Sequence, residues 1–159
     1  MSKKPPLTAS DVADWFINRV DRGAGETITP LAVQKLVFFA QAWYMANRGT
    51  PLFDDDFQAW AHGPVVRSLF DRFKHLSWES IPVVETVKKI TGEPLKLLEA
   101  VFAEYGGYGA KKLEEMTHIR GGPWAKARGD AAPEARCENI IPKQAIMKFY
   151  GKKIGKVWA

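Results

Sequence analysis

FQAWAHGPVVRSLFDRF, Phe57 to Phe73, is the stretch whose reading decides the fold. Phe57, Ala59 and Trp60 open it as an extended apolar and aromatic run. His62-Gly63-Pro64 breaks that run. Val66, Leu69, Phe70 and Phe73 then recur at the spacing of one helical face, which predicts a core helix. Pro64 is expected at its first helical position, where φ is preset and no N–H is needed. Arg67 and Asp71, four residues apart on the opposite face, are placed for a surface ion pair.

Upstream, Thr29-Pro30 is a strong start signal: a capping hydroxyl followed by proline at the first helical position. Val33, Leu36, Val37, Ala40, Trp43 and Tyr44 repeat at helical spacing up to Arg48-Gly49. Phe38 and Phe39 widen the apolar face, so this helix is expected at the centre of the fold. An earlier helix is expected after Thr8 or Ser10. Asp11 and Asp14 fall in its first turn, where the helix dipole favours acids, and Gly23-Ala24-Gly25 ends it.

Downstream, residues 81–90 (IPVVETVKKI) are β-rich in composition, with Pro82 marking an edge or loop, and are expected to pair with 57–61. Glu93-Pro94 opens a helix ending at Gly106-Gly107, where a left-handed stop is expected. Short helices follow at Ala110–Thr117 and from Pro123 to Arg128. A loop covers 129–139, and Pro142 starts a last helix carrying Ile146, Phe149 and Tyr150.

With 159 residues, 46% hydrophobic and 26% charged, the chain has the balance of one ordinary globular domain. The net charge of +5 is local: Lys143, Lys148, Lys152, Lys153 and Lys156 sit in 143–159 without an acid, so the remainder is neutral. That speaks against nucleic acid as a partner of the body, and leaves 143–159 as a basic C-terminal tail. One cysteine, Cys137, excludes an intramolecular disulfide and points to a reducing, cytoplasmic setting. No apolar run is long enough to span a membrane.

Sites of chemistry are sparse. His62, His75 and His118 have no partner at metal-ligand spacing. Asp54-Asp55-Asp56 lacks the glycine and glutamate of a calcium loop, with Ala59 and Val65 where those would stand. Gly106-Gly107-Tyr108-Gly109-Ala110-Lys111-Lys112 follows a helix rather than a strand and lacks the ending of a phosphate loop. Cys137 lies beside Arg136, with no base nearby in sequence. No catalytic, cofactor-binding or metal residue is expected. Two polar-aromatic sets remain: Trp60, His62 and Arg67, and His118, Arg120 and Trp124. One reading packs both tryptophans in the core, with the histidines bonded to loop carbonyls. The other makes the six residues a partner-binding surface, since tryptophan and arginine are enriched at interface hot spots.

The same residues carry a family likeness. Leu36-x-x-Phe39-Ala40-Gln41-x-Trp43, then Ala59-Trp60-x-x-Gly63-Pro64-Val65, then Thr117-His118 with Pro123-Trp124 occur in the order of the Panacea domain. The chain from about Val12 to Arg128 resembles that domain, found in phage-associated proteins and in antitoxins of toxin–antitoxin pairs, including the SocA type. The resemblance implies a mainly α fold: a compact helical domain with a small β-hairpin-like element, α+β at the margin, spanning 1–159. It also implies an antitoxin that neutralises a cognate toxin by direct binding, with no chemistry or cofactor of its own. The alternative it implies is a proteolytic adaptor delivering a toxin to an AAA+ protease such as ClpXP.

Overall fold

The computed structural model describes residues 4–153. Thr8 caps α1 (Ala9–Arg19) through a capping box with Asp11. Thr29 accepts a bond from the Ala32 N–H, and Pro30 occupies the first turn of α2 (Pro30–Arg48), which stops at the left-handed Gly49. Every residue of α2 from Ala32 to Met45 is buried. A helix buried all round must be enclosed, and α7 (Lys143–Gly151), α4 (Gly92–Tyr105), α1 and α5 (Ala110–Thr117) all pack on it. Aromatic rings lock this packing. Phe39 stacks on Tyr105 of α4 at 4.1 Å, and Trp43 meets Tyr150 of α7 edge-on at 5.1 Å.

The deciding stretch folds as a hairpin. β1 (Phe57–Trp60) pairs antiparallel with β2 (Gly63–Val65), setting Ala59 opposite Pro64 and Trp60 opposite Gly63. Ala61 and His62 form the turn between them. β3 (Ile140–Ile141) pairs on the other side of β1, giving the order β2-β1-β3. Pro64 therefore lies in an edge strand, where its missing N–H is tolerated, and not at the start of a helix. α3 (Arg67–Phe73) begins three residues later than Pro64. Leu69 and Phe73 are buried, as their spacing requires, but Phe70 is 38% exposed and turns onto Trp60.

Two further expectations are corrected. Residues 81–90 form no strand. Both sides of β1 are already taken, and the segment is strapped to α1 by one side-chain amide. Asn18 accepts from Val84 N–H and donates to Val84 C=O, while buried Ile81 and Ile90 anchor the ends. Gly106 ends α4 in the right-handed region at φ −64. Glycine is required there by space, since a Cβ would stand 2.5 Å from the Phe102 carbonyl oxygen.

Of the basic segment, residues 143–151 form α7, whose Ile146 and Tyr150 enter the core. Lys143 bonds Asp54 C=O and the Asp56 carboxylate. Residues 154–159 lie outside the described part. α6 (Pro123–Arg128) packs on β1 and β3.

Gly63 is the tightest point. Its φ is +109, and an added Cβ would lie 2.6 Å from Lys35 Cε and 2.9 Å from Thr117 Oγ1. Gly63→Ala is expected to destabilise the protein by about 2–4 kcal/mol, from backbone strain together with overpacking. The measurement is the urea midpoint; an unchanged midpoint would show that this turn is not closed to side chains.

Candidate functional site

The two polar-aromatic sets meet through one bond. Trp124, buried on α6, donates from Nε1 to the Trp60 carbonyl oxygen at 2.8 Å. Trp60 is half-buried, and its own Nε1 bonds Gln58 Oε1 at 2.7 Å. The histidines do not bond loop carbonyls. His62 is exposed and its Nδ1 pairs with Glu114 Oε1 at 2.7 Å. His118 lies flat on Trp124, with ring centroids 3.8 Å apart, and its Nε2 is buried without a partner among the described residues. Arg67 sits 5.8 Å from the Trp60 ring, and Arg120 is exposed in the turn before α6.

Beneath these residues lies a group that sequence periodicity hides. Lys35 is fully buried in the second turn of α2, with Nζ bonded to Pro64 C=O at 2.9 Å. Burial drives its pKa down from 10.5 to about 7, and the Glu114 carboxylate opposes that shift only in part. Burial also lowers the His118 pKa. Glu114 opposes this shift, and Lys35, Arg128 and His62 reinforce it, so the ring is neutral near pH 7. Arg128 is buried too. It spends its guanidinium on the carbonyls of Ala59, Ala132 and Ala135 and lies over the Trp124 ring. Lys35 and Arg128 thus pin the hairpin from two sides. Among the described residues no cluster of histidine, cysteine and carboxylate side chains is arranged to hold a metal ion.

An open groove of about 880 Å³ lies between the hairpin, α3 and the loop before β3. Trp60, Val65, Leu69, Phe70 and Trp78 give it an apolar wall, and Trp78 is 83% exposed. Arg67, Lys74, Arg136 and Glu138 supply its charges. Arg136 bonds Glu138 at 2.9 Å and holds that carboxyl below the usual range, with Arg67 adding to the effect at 3.4 Å. Of the six residues singled out from sequence, Trp60, His62 and Arg67 line this groove. Trp124 and His118 support the hairpin behind it, and Arg120 lies elsewhere. Phe70, Trp78 and Arg136 were not among them. Phe70 reads by its spacing as part of the core face of α3, and Trp78 and Arg136 lie in loops, where residue type is the one signal.

The sequence profile of the family described as "Antitoxin SocA-like, Panacea domain" matches residues 33–125, more than half of the chain. The chain belongs to this family. Antitoxin SocA of Caulobacter vibrioides (strain NA1000 / CB15N) is 29% identical over 140 residues, covering 76% of this chain and 73% of that protein. No solved structure gives a significant match. The Panacea match runs from α2 through Trp124 and so includes the hairpin, α3 and Trp78. Arg136 and Glu138 fall outside it. No helix among the described residues is long and apolar enough to cross a membrane.

The depressed Lys35 pKa makes stability depend on pH. Between about 7 and 10.5 the unfolded chain holds a proton on Lys35 that the folded protein has released, so stability rises with pH across that window. Lys35→Met removes this slope, at the cost of leaving the Pro64 carbonyl unbonded. The stability of the wild type relative to Lys35→Met is expected to grow by about 4 kcal/mol from pH 6 to pH 10. Urea titrations of both proteins check this. A constant difference would mean that Lys35 keeps its proton when buried.

Proposed function

We propose that this protein is an antitoxin that neutralises a cognate toxin by direct protein–protein contact, with the groove beside the hairpin at the centre of the interface. The observation that carries the reading is the groove's wall. Trp78 is 83% and Phe70 38% exposed beside Trp60, and exposed aromatic patches bounded by charge mark interaction sites. Membership of the Panacea family and the likeness to Antitoxin SocA support the role. The reading needs no chemistry from the antitoxin, only a surface of ordinary interface size, about 800 Å² on each partner. It sets the protein in the cytoplasm, with its toxin.

Co-expression tests it. The toxic product of an adjoining reading frame is induced in a bacterial host with and without this protein. Growth is expected to return, and to return equally in a host lacking ClpXP, because binding alone suffices. Rescue that requires the protease would make the protein an adaptor. Absence of rescue in both hosts would overturn the antitoxin reading.

A further inference from the structure

The groove's chemistry narrows what it accepts. Two neutral polar side chains within its wall, Gln34 and Trp60, are already spent. Gln34 donates to Val66 C=O and accepts from Val66 N–H, and Trp60 Nε1 bonds Gln58. A small polar ligand would find little there to orient it, whereas small-molecule sites rely on a few well-placed polar groups. At about 880 Å³ and open along its length, the groove has room for several side chains of a polypeptide.

Charge sets the second requirement. The basic side chains lining the groove are Arg67, Lys74, Arg136 and His62, against one carboxylate, Glu138, which Arg67 and Arg136 already share. Asp71, outside the lining, approaches Arg67 and Lys74 at 3.6 and 3.7 Å. Three permanent cations therefore face two carboxylates. The exposed pairs among them are weak and exchange readily for carboxylates of another molecule. Acid on an incoming segment is attracted, and base is repelled.

We propose that the groove binds a polypeptide segment of the partner that presents large apolar side chains to Trp60, Phe70 and Trp78 and flanks them with carboxylates toward Arg67, Lys74 and Arg136. That the segment belongs to the toxin rests on the antitoxin reading; the groove's preference for it does not.

The probe is a random-peptide library displayed on phage, selected on the full chain. Enriched peptides are expected to combine several of Trp, Phe, Leu, Ile and Met with an excess of Asp and Glu. Synthesised, they should bind the wild type and lose affinity by about tenfold or more on Phe70→Asp or Trp78→Asp. Binding should also weaken with salt and on Arg136→Glu. Both aromatic positions are exposed, so the variants are expected to fold, and a thermal melt of each verifies it. Peptides that are basic, that bind both aspartate variants as tightly as the wild type, or that fail to enrich at all would overturn the proposal. The same variants in the co-expression assay separate the two ideas. If the wild type and the double variant Phe70→Asp/Trp78→Asp both restore growth, the antitoxin role stands and the groove is not its contact. If the peptides bind as expected and the wild type restores no growth, the groove preference stands and the antitoxin role falls.

Discussion

Burying an entire helix forces every polar side chain on it to find a partner inside the protein. On α2 Trp43 donates to Tyr105 Oη, and three further buried residues, Gln34, Lys35 and Gln41, carry the same obligation. Each of these three meets it by bonding the backbone of the segment from Leu52 to Val66. Gln41 donates to Phe53 C=O and accepts from Leu52 N–H, at 2.8 and 2.7 Å. Gln34 does the same at Val66, and Lys35 holds Pro64. The segment is an irregular approach, a two-residue turn and a short edge strand, so it cannot satisfy these groups by itself. Unpaired, each would cost about 1–3 kcal/mol. The central helix thus serves as the missing hydrogen-bonding neighbour of the hairpin, and α3 and the groove follow from where the hairpin is held.

That arrangement explains why the neighbouring residues are so constrained. The Lys35 stem fills the space a side chain on Gly63 would need, and Thr117 closes the other side. Arg128 reaches the hairpin at Ala59 from the opposite flank, while Trp124 caps the Trp60 carbonyl. Two buried cations bonded mainly to carbonyls are costly components. Lys35 lowers its cost by giving up its proton near neutral pH; Arg128 spreads its guanidinium over several carbonyls and an aromatic face.

The motif residues on which the chain resembles the Panacea domain lie mostly in this support. Gln41, Gly63, Pro64, Thr117 and Trp124 are buried or bonded inward. The groove they hold open is walled by aromatic side chains and edged by charges that the support does not use. Under the proposed function, a shared scaffold and a replaceable surface would let relatives keep one fold and change partners by altering Phe70, Trp78 or the loop carrying Arg136.

By itself the sequence determined the helices. Caps at Thr8 and Thr29, prolines at first turns and apolar spacing of three and four residues are local signals. They located α2, α4, α5, α6 and α7 within a residue or two, because helical hydrogen bonds are local too; α1 starts where expected but stops at Arg19, ahead of the glycines expected to end it. The central place of α2 was legible in its width of apolar surface. Tertiary structure decided the rest. Pro64 reads equally well as a helix start or an edge strand, and only pairing with β1 chose. Residues 81–90 have strand composition, but no edge of β1 remained for them. Lys35 looks like any helical lysine until the hairpin at Gly63 and Pro64 closes over it. The groove joins Trp60, Phe70, Trp78 and Arg136 from four separate parts of the chain, and no spacing along a sequence encodes a contact made across space.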